Sequence, residues 1–474
     1  MRPRSLATAG TAWLLASGCA LGPNYARPDL APPETFRGET APAAEAFVDL
    51  LPWWQIFADP ALVALTTEAL ENNLDLAAAV ARVETSESFV GVVRSELIPQ
   101  VGYEAEAGRS RSSKSFGSGD GNPRSFFFGA LNLAWEIDVW GRIRRATEAA
   151  RAEMFASEAF RRAVRLSLVA GVAQAYFELR ELDAEHEIAR RTAESFVETR
   201  DLFERQFQGG TASRLEVERA DAALAQTQAQ IPDLERRIVA KENEISVLLG
   251  RAPGEVPRGA ALEAQEIPAV PTGLPSQLLE RRPDVVFAEE TLVASNARVG
   301  VALAGFFPRI GLTSFYGRQS ESLADLVKKG SGVWSLAALA AGPIFEGGRN
   351  WYLYGASKSE REAALRDYEQ SVLRAFQEVS DALVAREKLA LARSYQERAA
   401  AALRESVRLA LVRYRGGLSN YVEVLDAQQQ LFPAELQLAR LDLEEMLSLT
   451  RLYRALGGGW SIDATPATGA APTP

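Results

Sequence analysis

Four short segments of the chain alternate apolar and polar residues with the period of a β-strand. The alternating positions are Val101, Tyr103, Ala105 and Ala107; Phe127, Leu131, Leu133, Trp135 and Ile137; Ile310, Leu312, Ser314 and Tyr316; and Trp334, Leu336, Ala338 and Ala340. Each segment has about the ten residues that a tilted membrane strand needs. The pattern therefore predicts four strands, two within residues 100–138 and two within residues 308–345.

Two much longer segments show the helical period instead. Residues 143–208 and 350–415 contain no proline, and the first carries an apolar stripe at helical spacing: Leu166, Val169, Ala173, Tyr176 and Leu179. At 1.5 Å per residue each segment predicts a helix of roughly 100 Å. Each ends at a glycine pair, which permits a tight reversal, and a return helix follows at 215–249 and 421–456. The sequence thus predicts two long helical hairpins.

The two hairpins belong to a duplicated unit. Gln206–Gly210 matches Arg413–Gly417 at an offset of 207 residues, and the same offset aligns Leu249–Gly250 with Leu456–Gly457. The predicted organisation is a signal peptide at 1–18, a lipid-anchored extension at 19–50, a first repeat at 51–260, a second repeat at 261–460 and a disordered tail at 461–474. The fold class is mainly α with a small membrane β part.

The first residues have the order of a bacterial lipoprotein leader. Arg2 and Arg4 precede a short apolar run, and Leu15–Cys19 resembles a lipobox, in which the cysteine becomes the acylated N-terminus. Cys19 is the one cysteine of the chain. We expect diacylglycerol and palmitate on Cys19 and no other cofactor.

Membrane crossing must use the strands, because no other segment has the ~18 consecutive apolar residues of a helical span. Four strands cannot close a barrel, and open strand edges are not tolerated in lipid. The smallest membrane barrels have eight strands. At least two chains must therefore combine their strands.

Composition excludes several classes of protein. The net charge of −10 disfavours nucleic-acid binding, which requires clustered basic residues. His186 is the one histidine, so it cannot form a histidine metal cluster. We find no nucleophile, metal or phosphate motif that predicts an enzyme.

Several motifs resemble those of TolC-like outer-membrane efflux proteins, and specifically the NodT-type lipoprotein branch that serves RND pumps. They are Trp53–Trp54, Phe57–Pro60, Trp135–Asp138 with Gly141–Arg142, Leu278–Asp284 and Gly342–Gly348. The resemblance implies a homotrimer in the outer membrane, with a shared 12-strand β-barrel above an α-barrel of helical hairpins. It also implies two partners, a periplasmic adaptor and an inner-membrane RND pump.

The resemblance assigns roles to residues at the hairpin ends. Glu423 and Asp426 match the acidic constriction of the channel gate, and their i, i+3 spacing places them on one helix face. Tyr414 and Arg413 match residues that close the gate, and Ser419 stands where the best-known member has arginine. The expected adaptor contacts are Gly209, Gly210, Gly416 and Gly417.

Two other functions are compatible with these patterns. The same fold serves as the exit duct of type I protein secretion. A periplasmic coiled-coil scaffold lipoprotein that never spans a membrane would also show long helices and short hairpins. Neither the exported substrate nor the particular pump can be predicted from the sequence.

Overall fold

The computed structural model describes residues 20–30, 33, 35–38, 54, 57–111, 113, 122–265 and 279–458. The predicted signal peptide, the predicted acylation site Cys19, the tail 461–474, Trp53 and Leu278 lie outside the described residues. Among the described helices, none combines the length and apolar character needed to cross a membrane.

The elements follow the predicted duplication. In chain order they are α1 (Pro60–Asn72), α2 (Leu74–Ser95), β1 (Gln100–Arg111), β2 (Pro123–Ile137), α3 (Arg142–Gln208), α4 (Arg214–Gln228), α5 (Gln230–Leu248), α6 (Pro283–Ala304), β3 (Arg309–Ser320), β4 (Gly332–Ala341), α7 (Arg349–Arg415) and α8 (Tyr421–Ala455). The helices α3 and α7 have 67 residues each and match their predicted limits within one residue.

The strands belong to a first compact unit, which comprises the described residues of 1–30, 81–158 and 287–370. They form one antiparallel sheet in the order β1-β2-β3-β4. Its register aligns Tyr103, Leu131, Tyr316 and Trp334 in one row, and all four side chains are exposed. We call this side the apolar face. The predicted alternation is therefore confirmed.

The opposite side of the sheet, the polar face, carries the glutamates of the strands. These are Glu104, Glu106 and Glu136. β4 ends at Ala341 rather than near residue 345 as predicted. Pro343 follows two residues later, and a proline cannot donate to a strand ladder.

The turn from β2 into α3 explains the Trp135–Arg142 motif. The Asp138 carboxylate accepts hydrogen bonds from the backbone N–H groups of Ile143 and Arg144, at 3.0 and 2.9 Å, and so satisfies the start of α3. Gly141 takes a φ of +77° in this turn. Arg142 bonds to Glu136 at 2.9 Å and to Glu96 at 2.8 Å, which ties the base of the sheet together.

The second compact unit comprises the described residues of 31–80, 159–286 and 371–474. Its main core packs α1 and the middle of α3 against α5 and α8, with Phe57, Leu62, Tyr176, Ile245 and Leu449 almost wholly buried. The hydroxyl of Tyr176 donates to Asp59 at 2.7 Å. This core fixes the helical hairpins at the end away from their glycine turns.

One helical prediction is wrong. The first return helix is not continuous over 215–249 but breaks at Ala229, between α4 and α5. Pro232 lies in the first turn of α5, where its missing N–H is tolerated. The second return helix, α8, continues through Pro433.

The Leu278–Asp284 motif has a structural role in this unit. α6 begins at Pro283, as predicted. The side chain of Arg282 is buried and bonds to Asp284 at 2.6 Å, Glu378 at 2.8 Å and the carbonyl of Ala455 at 3.0 Å. The guanidinium therefore joins three segments of the chain.

Candidate functional site at the hairpin tips

Both helical hairpins reverse at the predicted glycine pairs. Gly210 and Gly417 have φ values of +74° and +70°, a conformation that favours glycine. The N–H of Thr211 bonds to the carbonyl of Gln206 at 2.8 Å, and that of Leu418 to Arg413 at 2.9 Å. Both are helix C-terminal motifs of the Schellman type. A side chain at Gly210 or Gly417 would meet no described atom within 4 Å, so both tips are open to solvent.

An aromatic cluster joins the two tips. Phe203 of α3 is fully buried, and its ring lies 3.9 Å from that of Tyr421 and 5.8 Å from that of Tyr414. Val217 of α4 and Val424 of α8 belong to the same core. The two return helices are thus packed through one shared set of side chains.

Two polar links reinforce this packing. The hydroxyl of Tyr414 donates to Oε1 of Gln206 at 2.5 Å, which connects the ends of α7 and α3. Nε of Arg413 lies 3.4 Å from Oε2 of Glu423. The structure brings Tyr414, Arg413 and Glu423 together at the second tip, and it adds Gln206, which the sequence analysis did not name. The only indication in the sequence was that Gln206 aligns with Arg413 in the repeat.

Glu423 and Asp426 project from one face of α8, and both are exposed. Asp426 accepts a hydrogen bond from Nε2 of Gln430 at 2.7 Å. Arg413 pairs with Glu423, and Asp426 has no ionic partner among the described residues. The face is acidic and accessible to solute or to another chain.

The second tip contains buried polar atoms that no described group satisfies. They are Oγ of Ser419, the hydroxyl of Tyr421 and Oε1 of Gln428. A buried polar atom without a partner costs about 1–3 kcal/mol. The packing of residues 419–428 is consequently less favourable than its apolar contacts alone would make it.

Above the tip, α8 is held by ionic contacts. The nearly buried carboxylate of Glu435 bonds to Arg191 of α3 at 2.9 Å and to Arg404 of α7 at 2.7 Å. Asp442 bonds to Arg393 of α7 at 2.5 Å. Pro433 separates this anchored part of α8 from its tip segment, residues 421–432.

A groove of about 550 Å³ lies beside the tips. It is lined by Glu198, Asp201, Leu202, Arg205, Gln206, Tyr414 and Arg415. The lining combines both signs of charge with hydrogen-bonding groups, which suits a polar protein surface rather than an apolar ligand. Within the described residues, no group of His, Cys, Asp and Glu could hold a metal ion.

Comparison with known proteins agrees with this geometry. A family model described as outer membrane efflux protein matches residues 65–251 and again 274–458. The solvent efflux pump outer membrane protein SrpC of Pseudomonas putida is 35% identical over 95% of this chain and 97% of its own. The cation efflux system protein CusC of Escherichia coli is 33% identical over 94% and 97%.

Solved structures show the same fold. The outer membrane channel MtrE of Neisseria gonorrhoeae, described in its open state, is 34% identical with a TM-score of 0.84 over 93% of this chain and 98% of its own. These relatives are efflux channels rather than enzymes. The chain therefore belongs to the outer membrane efflux protein family, and it is an outer-membrane efflux channel that extends into the periplasm.

Proposed function

We propose that three copies of this chain form the exit duct of an RND-type tripartite efflux pump, with a periplasmic gate at the second hairpin tip. The observation that carries the gate is the hydrogen bond from Tyr414 to Gln206, which joins the second tip to the first, with the Arg413–Glu423 ion pair beside it within the second tip. Because Glu423 is exposed beside this hydrogen bond, breaking the bond would also move the acidic face.

The edges of the sheet support assembly. β1 and β4 each pair on one side only among the described strands. Open edges in lipid leave backbone groups without hydrogen bonds, which is not tolerated. Pairing β4 of one chain with β1 of the next satisfies both edges, and three chains give a closed sheet of twelve strands.

The gate works by electrostatics and width. In a trimer Glu423 and Asp426 contribute two stacked rings of three carboxylates. Such rings attract cations and disfavour anions. The Arg413–Glu423 pair is half-exposed and contributes at most about 1 kcal/mol, so a docking partner can break it.

The partner at the tips is a periplasmic adaptor. Gly209, Gly210, Gly416 and Gly417 present backbone without side chains, which permits the close approach of another helix. The adjacent groove offers Arg205, Arg415 and Asp201 for polar contacts. If the Tyr414 hydroxyl bonded to an adaptor group instead of Gln206, the second hairpin would be released from the first.

Anchoring uses the N-terminus. Acylation of Cys19 would place lipid one residue before Ala20, which packs against Gly141 at the base of the sheet. Metabolic labelling with a palmitate analogue tests this, since Cys19→Ser should abolish the label and leave the sheet intact.

The gate is tested by single-channel recording in a planar bilayer. We expect Glu423→Ala with Asp426→Ala to raise conductance and reduce cation preference, since the rings both narrow and charge the pore. The matched control is Glu218→Ala with Asp221→Ala, which removes the same charge at the same spacing from α4. Unchanged conductance and selectivity in the first variant would refute the gate.

A further inference from the structure

The far end of the sheet carries a set of outward-facing arginines that the export function does not use. The register places Arg109 and Arg111 of β1 and Arg318 of β3 on the apolar face. They are the charged residues of that face, whereas all strand glutamates lie on the polar face. The polar face also carries Arg124 and Arg309, so the apolar face differs in that all its charged residues are basic.

The position of Arg109 and Arg111 matches the edge of a membrane. On the apolar face, the residues of β2 are uncharged from Ile137, paired with Ile310, to Phe127, paired with Ala107, and Arg318 of β3 is the charged residue within these rows. Five steps of two residues, at about 3.3 Å per residue and a tilt near 40°, span roughly 25 Å. This is the height of the apolar band in outer-membrane proteins. Arg109 and Arg111 occupy the next two rows.

Arg318 reaches the same end by turning its side chain. Its row lies one step inside the band, and its Nη1 donates to the carbonyls of Leu326 and Lys328 at 3.2 and 3.4 Å. Long basic side chains near a membrane boundary reach toward the polar region in this way. Lys328 and Lys329 are exposed in the same connection between β3 and β4.

The helices adjoin the opposite end of the sheet, so this end faces away from the periplasm. The outer leaflet there consists of lipopolysaccharide, whose lipid A carries phosphates at the level of the headgroups. Arginine binds phosphate through charge-assisted, often bidentate hydrogen bonds. Among the described residues, neither Arg109 nor Arg111 has an acidic partner.

We propose that the outward-facing rim formed by Arg109 and Arg111 is a binding surface for the phosphates of lipid A. Tyr103, Tyr316 and Trp334 form an exposed aromatic row on the same face, three rows from Arg109 and within the apolar band. The inference rests on the placement of the sheet in the outer membrane and is independent of the periplasmic gate.

The test compares lipid A binding to the purified full-length protein in detergent, by native mass spectrometry. The variant is Arg109→Gln with Arg111→Gln. The matched control is Arg124→Gln, which removes a positive charge from the same end of β2 but from the polar face. The probes are bisphosphorylated lipid A, the same lipid after dephosphorylation, and phosphatidylglycerol.

We expect the native protein and the Arg124→Gln control to bind bisphosphorylated lipid A and to discriminate against the dephosphorylated form. The double variant should bind it roughly tenfold more weakly for each arginine lost. Equal binding by the double variant, or no preference for the phosphorylated lipid, would overturn the surface. Equal binding of phosphatidylglycerol would overturn the assignment to lipid A.

A second measurement separates this surface from the channel function. Single-channel conductance of the double variant should equal that of the native protein, because the rim lies outside the pore. If neither the native protein nor any variant conducts ions while lipid A binding persists, the exit duct is refuted and the lipid A surface is not. Heat-resistant oligomer on a gel confirms that the double variant has folded.

Discussion

The two hairpin tips are copies of one duplicated unit, but the hydrogen bonds of their helix caps and buried polar groups are satisfied to different extents. At the first tip, Ser213 and Glu216 form a reciprocal capping box at the start of α4. At the second tip, Asn420 caps α8 without a side-chain hydrogen bond, and the polar atoms of Ser419 and Tyr421 are buried without partners. The comparison indicates that the second tip is the one prepared to move.

The return helices differ in the same sense. The first is already divided at Ala229, so its proline lies in a new first turn. The second runs continuously through Pro433, which lacks the N–H that would bond to the carbonyl of Gln429. Directly beyond it, Glu435 fixes α8 to Arg191 and Arg404. Pro433 therefore marks a hinge between the anchored part of α8 and its tip segment, in which buried polar atoms lack hydrogen-bond partners.

The largest effect is expected from Phe203→Ala, which removes the ring shared by both tips. Loss of a fully buried phenylalanine costs about 3–5 kcal/mol. Because Tyr414 and Tyr421 lose their contact, amide hydrogen exchange should accelerate more at residues 421–432 than at residues 214–228. Phe177→Ala, in the separate core around Tyr176, is the matched control and should leave both tips unchanged. Equal acceleration at the two tips would show that the second tip is no less stable than the first.

The next effect is expected from Pro433→Ala. An interior proline destabilises a helix by about 3 kcal/mol, so alanine should stabilise α8 by up to that amount. Open events in single-channel recordings should become rarer and exchange at residues 421–432 slower. Pro232→Ala is the control, since a proline in a first turn costs little. An equal effect of both substitutions would contradict a hinge at Pro433.

The difference between the tips could not be predicted from sequence. Local features were accessible: the absence of proline fixed the limits of α3 and α7, the glycine pairs gave the turns, and period-two alternation gave the faces of the sheet. The bond from Tyr414 to Gln206 joins residues 208 apart and depends on how the hairpins pack. The ionic contacts of Glu435 with α3 and α7 are equally non-local. The divided first return helix was missed because Pro232 was not weighed as a helix start.

The two hairpins can also be compared above their tips, at the buried carboxylate of Glu181. Burial, together with the nearby charge of Glu185, raises the pKa of Glu181 to about 7. Glu185 is itself bonded to Arg237 of the first return helix and Arg440 of the second, at 3.3 and 3.1 Å. Both return helices therefore contact the same acidic pair, and here the repeats are alike.

Because the pKa of Glu181 is higher in the folded state, ionisation of this group opposes folding. Its cost is absent below the unfolded pKa near 4.5 and complete above about 7. We expect Glu181→Gln to raise stability by roughly 2 kcal/mol at pH 8.5 and by much less at pH 5. Thermal unfolding followed by helical circular dichroism measures this. The exposed Glu187→Gln serves as control, and an equal gain at both pH values would exclude the ionisation cost.

A smaller effect is expected at the first tip from Ser213→Ala. Loss of the N-cap costs about 1 kcal/mol, because the Ser213 hydroxyl no longer accepts from the Glu216 backbone N–H or donates to the Glu216 carboxylate. Exchange should accelerate at the start of α4, while conductance stays unchanged because this tip does not carry the gate. Asn420→Ala is the equivalent change at the second tip and should have little effect on exchange, since Asn420 makes no capping bond. If Asn420→Ala accelerated exchange more than Ser213→Ala, the second tip rather than the first would be the one that depends on its N-cap.

The smallest effect is expected from Tyr421→Phe. The hydroxyl of Tyr421 is buried without a partner, so its removal should stabilise the closed tip by about 1 kcal/mol while the ring keeps its contact with Phe203. Tyr414→Phe is the matched control, because the same chemical change there destroys the bond to Gln206. We expect the two variants to move open probability in opposite directions. A fall in stability for both would mean that the Tyr421 hydroxyl has a partner in the assembled channel, and the second tip would then be as well satisfied as the first.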